Sequence, residues 1–161
     1  MPRRHARRRS ILRLMNRSMR VLARVVAFTG LAAISVLHVM WATGSSWPAK
    51  NSKQLAEAVA GQSTEMPAAA PTAVVAAGTA ATSMLATGIL GDGRIQRKSL
   101  RAISLFMLLR AALGGEVALK VLQLPPAGER FRSLDRRYYR PFAAVMGLAL
   151  WGVTFPAKGK T

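Results

Sequence analysis

Leu100-Arg101-Ala102-Ile103-Ser104-Leu105-Phe106-Met107-Leu108-Leu109-Arg110-Ala111-Ala112-Leu113-Gly114-Gly115-Glu116-Val117-Ala118-Leu119-Lys120-Val121-Leu122-Gln123-Leu124 is an apolar run that holds an arginine and a glutamate near its middle. Its portion from 102 to 124 suits a helix crossing about 30 Å of hydrocarbon. At that depth an arginine or a carboxylate costs roughly 2.5–3.5 kcal/mol, so Arg110 and Glu116 must each face protein or water. Pro125-Pro126 closes the run.

Outward from it, three more apolar stretches cover residues 21–43, 68–90 and 141–157. Together they predict an all-α, polytopic integral membrane protein with four transmembrane helices in a small bundle over residues 21–157. A basic segment, 1–20, precedes the bundle and a short tail, 158–161, follows it. Charge is segregated to match. The chain of 161 residues carries a formal net charge of +18, nine arginines fall within the first 24 residues, and residues 66–91 hold no charge. Basic flanks on long uncharged runs mark a membrane protein, whereas a nucleic-acid binder carries its basic stripe on a folded polar face, so no nucleic-acid partner is expected.

In the basic segment, Ile11, Met15, Met19 and Leu22 recur at spacings of three and four. A helix gathers them on one side and the arginines on the other. Such a segment can lie on anionic headgroups before turning inward, and the bilayer is its expected partner. Arg8-Arg9-Ser10-Ile11-Leu12-Arg13 resembles a twin-arginine export signal, but the apolar stretch after it exceeds a signal core, so the segment reads as retained. In the first span Arg24 can reach back to the basic side. Trp41 and Trp47 suit interfacial anchors, and Gly44 to Pro48 end the helix. The connection after it predicts a short amphipathic helix from Asn51 or Ser52. The second span is dominated by alanines, glycines and hydroxyl residues; Gly78 and Thr82, four apart, predict close helix packing at the centre of the bundle, with hydroxyls bonding back to their own carbonyls. Pro141 opens the last span, which also carries the small pair Ala143 and Gly147.

The balance of basic residues puts both termini in the cytoplasm of a cell-membrane protein. One connection runs against this rule. Arg130, Arg132, Arg136, Arg137 and Arg140 fall on the outer side, only partly offset by Glu129 and Asp135. Basic residues on that face call for structural partners or a task.

Two patches resemble a known family. Leu37-His38-Val39-Met40-Trp41-Ala42-Thr43-Gly44, with Trp47 beyond, is similar to the end of the first helix in domain-of-unknown-function family 3995. Phe131-Arg132-Ser133-Leu134-Asp135-Arg136-Arg137-Tyr138-Tyr139-Arg140-Pro141 resembles the family's signature before its last helix, with Phe131, Leu134, Asp135, Tyr139 and Pro141 in register. Arg110 matches an arginine of the family's third helix. The family pattern has Gly-Asp soon after that arginine, where this chain has Leu113-Gly114-Gly115-Glu116, so the acid is shifted along the helix. The resemblance implies a four-helix membrane architecture over about residues 30–155 and no particular chemistry.

On a straight third helix Glu116 lies about 5 Å to the outer side of the midplane, and His38 on the first helix about 9 Å to the same side. These depths predict a polar cluster of His38, Arg110 and Glu116, roofed by Asp135, Tyr139 and arginines of the last connection. Its structural reading is a network that sets helix register, with Asp135 paired to an arginine. Its functional reading is a proton or small-ligand site. Catalysis is not expected, because no nucleophile–base pair, metal motif or phosphate-binding glycine loop is present. The chain has no cysteine, two histidines and six acidic residues, too few for a metal cage, and haem on His38 lacks a second axial ligand other than methionine. The sequence therefore predicts a non-catalytic interaction or structural membrane protein without a cofactor. The alternative is a small-molecule or proton-coupled transporter, dimeric because four short helices enclose little volume. Small multidrug exporters share the helix count, but their essential acid lies in the first helix, where this chain has a histidine.

Overall fold

The computed structural model describes residues 2–61, 66, 68–121, 123 and 125–155, with side chains from residue 17 onward. Every regular element among them is helical: α1 (Pro2–Ala42), α2 (Ser52–Val59), α3 (Ala69–Thr87), α4 (Arg94–Leu113), α5 (Gly115–Val121), α6 (Glu129–Leu134), a π-helical turn (Asp135–Tyr139) and α7 (Arg140–Val153). The 158–161 tail, the last residues of the 141–157 stretch, and the side chains of Ile11 and Met15 lie outside the described residues.

α1 runs unbroken through the boundary at residue 20, so the basic segment continues the first apolar helix instead of turning away from it. No proline or glycine interrupts the chain between Pro2 and Gly30, and nothing local stops the backbone ladder. The helix ends in a Schellman motif: Gly44 has φ +92°, its N–H bonds Trp41 O at 3.1 Å, and Ser45 N–H bonds Met40 O at 2.9 Å. α2 starts where Asn51 accepts from Gln54 N at 2.9 Å, as expected from its composition.

α7 occupies the centre, packed against both α1 and α4. Ala27 and Leu31 of α1, Ala86 of α3, Leu100 of α4, and Met146 and Leu150 of α7 form the main core. Small residues permit the approach. A β-carbon on Gly147 would sit 2.7 Å from Leu108 Cγ and 3.2 Å from its backbone nitrogen, and Ser104 donates to Gly147 O at 2.7 Å. The expectation for the second span needs correction. α3 lies at the edge and not at the centre, with Thr72, Ala76, Thr82, Ser83 and Ala86 buried and α1 as its chief neighbour, so that of the expected pair Thr82 is packed and Gly78 is not. Gly78 faces open space, with nothing within 4 Å of where a β-carbon would sit. Along that contact Ser35 Oγ of α1 donates to Ala76 O of α3 at 2.8 Å. Back-bonding holds on α3: Thr82 Oγ1 donates to Gly78 O at 2.7 Å and Thr79 Oγ1 to Val75 O at 2.8 Å.

Two helical stretches, Arg17–Ala42 and Ala69–Thr87, are long and apolar enough to cross a membrane. α4 and α5 make a third if taken as one broken span, for they meet at 102°. The straight third helix over 102–124 is thereby corrected. Gly114, at φ +82° and ψ 168°, leaves helical space and ends α4. The fourth stretch also differs. α7 alone has 14 residues, about 21 Å, short of a hydrocarbon core. It continues a helical run that begins at Glu129 and passes through the π turn. Pro141 stands in the first turn of α7, as expected, and the π turn joins α7 to the helix before it. The proline's missing N–H removes one i→i−4 bond, and the wider turn, in which Arg140 N–H reaches back to Asp135 O, takes up the ring beside it. Outward faces are apolar: Phe28 and Val36 on α1, Val74 on α3, Phe106 on α4 and Leu148 on α7 are all exposed.

Candidate functional site: a charged latch at the helix break

Breaking a helix orphans polar backbone groups on both sides: the last carbonyls of α4 and the first N–H groups of α5. Two charged side chains, Asp135 and Arg140, answer them, and a third, Arg110, pairs with Asp135. Asp135, 6% exposed in the π turn, accepts from Gly115 N–H at 3.0 Å through Oδ2. Its Oδ1 binds Arg110 Nη2 at 2.5 Å, an ion pair across twenty-five residues. Arg140, one π turn later, donates from Nε to Ala111 O at 2.7 Å and from Nη2 to Ala112 O at 2.6 Å. A carboxylate at the start of α5 and guanidinium groups at the end of α4 each complement the local helix dipole. Gly115 admits this packing, since a β-carbon there would stand 2.6 Å from Phe131 Cζ and 2.8 Å from Arg110 Nη2.

The latch is tied outward through Tyr139, whose hydroxyl donates to Ala58 O at the end of α2, 3.1 Å away. Burial raises the Tyr139 pKa above the usual 10, with Arg130 opposing and Asp135 adding to the rise. Phe131, Leu119 and Ala127 form a second small core beneath it. Beside the latch a cleft of about 190 Å³ is lined by Leu113, Gly114, Glu116, Phe131, Arg132, Asp135, Arg136 and Arg140. Among the described residues no group of three His, Cys, Asp or Glu side chains is gathered as a metal site would need.

His38, Arg110 and Glu116 do not share bonds. Glu116 pairs with Arg132 at 3.1 Å near the surface, and His38 Nδ1 lies 2.8 Å from Ile34 O of its own helix. The His38 ring leans on Trp41, centroids 4.9 Å apart, and Trp41 Nε1 donates to Trp47 O at 2.7 Å. Trp41 is half-buried and Trp47 exposed. The 102° turn after Leu113 takes Glu116 off the α4 axis and away from the depth that a straight helix would give it. The role of Arg140 does not show in the sequence, where it stands only as one of the surplus basic residues of the last connection. The one signal there is an arginine directly before a proline, on a face where basic residues need partners. Of the five arginines there, Arg130 approaches Glu57 at 3.9 Å, Arg132 pairs with Glu116, and Arg140 holds two carbonyls.

With this geometry in place, residues 31–150 match the family described as Protein of unknown function (DUF3995). The chain belongs to that family. The DUF3995 match takes in the whole latch, from Arg110 to Arg140, and leaves out the arginine-rich start of α1. No curated protein and no solved structure is matched by the chain.

Proposed function

We propose that the protein is a multi-pass protein of the cell membrane, with both termini cytoplasmic, that performs no catalysis and presents a rigid helical body to other membrane components. In this reading α1, α3, the broken α4–α5 pair and the apolar run that begins at Pro141 make four crossings. The observation that carries it is the latch itself. Asp135, Arg110 and Arg140 are taken up by helix ends and by each other, an arrangement that sets geometry and leaves few charges to line a passage.

A carrier is the second reading, and one observation favours it: the 190 Å³ cleft places Arg132, Arg136 and Arg140 beside Glu116 and Asp135. Two measurements separate the readings. The protein should stay with the membrane after a carbonate wash, and its proteoliposomes should show no proton flux with a pH-sensitive dye. A flux that Glu116→Gln abolishes, while the variant inserts and keeps its unfolding temperature, would replace the structural reading with the carrier. Recovery of the unmodified protein in the soluble fraction would end both.

A further inference from the structure

At the opposite end from the latch, three arginines converge on the turn between α3 and α4 with too few acceptors. Arg20 Nη2 binds Asp92 Oδ2 at 3.0 Å, whereas Arg97 Nε stands 3.9 Å from Oδ1, beyond a hydrogen bond. Arg24, one helical turn past Arg20, lies against Gly88, so that a β-carbon on that glycine would meet its Nη2 at 2.6 Å. Among the described residues, the Nε atoms of Arg20, Arg24 and Arg97 are buried without a hydrogen-bond partner. Asp92 is the only carboxylate in the turn, set against three guanidinium groups. Gly93, the N-cap of the twenty-residue α4, offers no side-chain acceptor to the first N–H groups of that helix either. Like charges four apart on one helix face repel, and a buried N–H without an acceptor is unfavourable. The cluster therefore gathers positive charge and N–H donors of the kind that a compact anion with several acceptor oxygens offsets.

We propose that Arg20, Arg24 and Arg97 form a binding site for a phosphate group. Its depth names the main source. The cluster sits where α1 becomes apolar at Val21, where α3 ends at Thr87 and where α4 enters its apolar run at Leu100. On the membrane reading proposed above, that level is the headgroup layer, and the phosphate is that of an anionic lipid. A guanidinium fork suits a phosphate better than an ammonium does, so the site distinguishes arginine from lysine. Free phosphate shares this chemistry and would use the same donors.

The test uses the full chain purified in detergent, with native mass spectrometry to count retained phosphatidylglycerol against phosphatidylcholine, and thermal unfolding with added inorganic phosphate. The wild type should retain phosphatidylglycerol preferentially. Arg24→Lys should lower that preference roughly tenfold, the size of one charge-assisted hydrogen bond, although it keeps the charge. Lys98→Gln removes a charge at the same end without touching the cluster and should change it by less than about twofold. If Arg24→Lys does not fold, Arg97→Lys carries the same comparison. Inorganic phosphate that stabilises the wild type but not Arg24→Lys, without lipid preference, would assign the site to a soluble phosphate and would hold even for a protein outside the membrane. Equal losses in Lys98→Gln and Arg24→Lys would reduce the effect to general attraction and overturn the site. So would the absence of any response to either probe.

Discussion

Replacing Asp135 by asparagine tests the latch at the bond that joins its parts. The substitution keeps the shape and one acceptor for Gly115 N–H, but it removes the charge that faces Arg110 at 2.5 Å. Breaking one partner of a buried ion pair costs about 3–5 kcal/mol, mostly because the other charge is left without compensation. The Arg110 side chain keeps 23% exposure, so water recovers part of that loss, and the lower end, about 3 kcal/mol, applies. At this chain length each kcal/mol moves the unfolding midpoint by roughly 2–4 °C, which gives a fall of about 6–12 °C. The assay is thermal unfolding in detergent followed by circular dichroism, run as a double-mutant cycle with Arg110→Met. The double variant has no orphaned charge and should be more stable than the sum of the single losses predicts. A midpoint for Asp135→Asn within about 2 °C of wild type, with strictly additive singles, would refute the claim that this pair holds the break.

Two further outcomes follow from the geometry. Gly147→Ala should lower stability by about 1–3 kcal/mol in the same unfolding assay, because its β-carbon meets Leu108 Cγ at 2.7 Å and the Leu108 backbone at 3.2 Å, and α4 and α7 must part. Tyr139 has a raised pKa in the fold, so the folded protein holds its phenolic proton more tightly than the unfolded chain does. Its contribution is complete below about pH 10 and is lost as pH climbs through the folded value. Tyr139→Phe should therefore flatten the alkaline decline in a pH series of unfolding midpoints, while losing the bond to Ala58 O at neutral pH.

Much of the helical content follows from local physics. Long apolar runs, an N-cap at Asn51 and a glycine at the end of α1 all act within a few residues of themselves. Arg110 and Asp135 also stood out in the sequence, since charges within or beside apolar segments are costly wherever they sit. Their pairing with each other was one of several arrangements compatible with that cost. Gly78 misled because small residues at spacing four mark a potential contact face but do not say which face meets a neighbour.

What the chain alone determined is its helical class, its apolar segments and the sharp separation of its charge, because periodicity and composition are properties of neighbouring residues. Tertiary structure decided where the third helix breaks and who satisfies the broken ends. Glycines are common in membrane helices, so Gly114-Gly115 permits a straight helix as well as a turn. The turn becomes favourable only because Asp135 and Arg140, twenty or more residues away in sequence, reach the backbone groups it exposes.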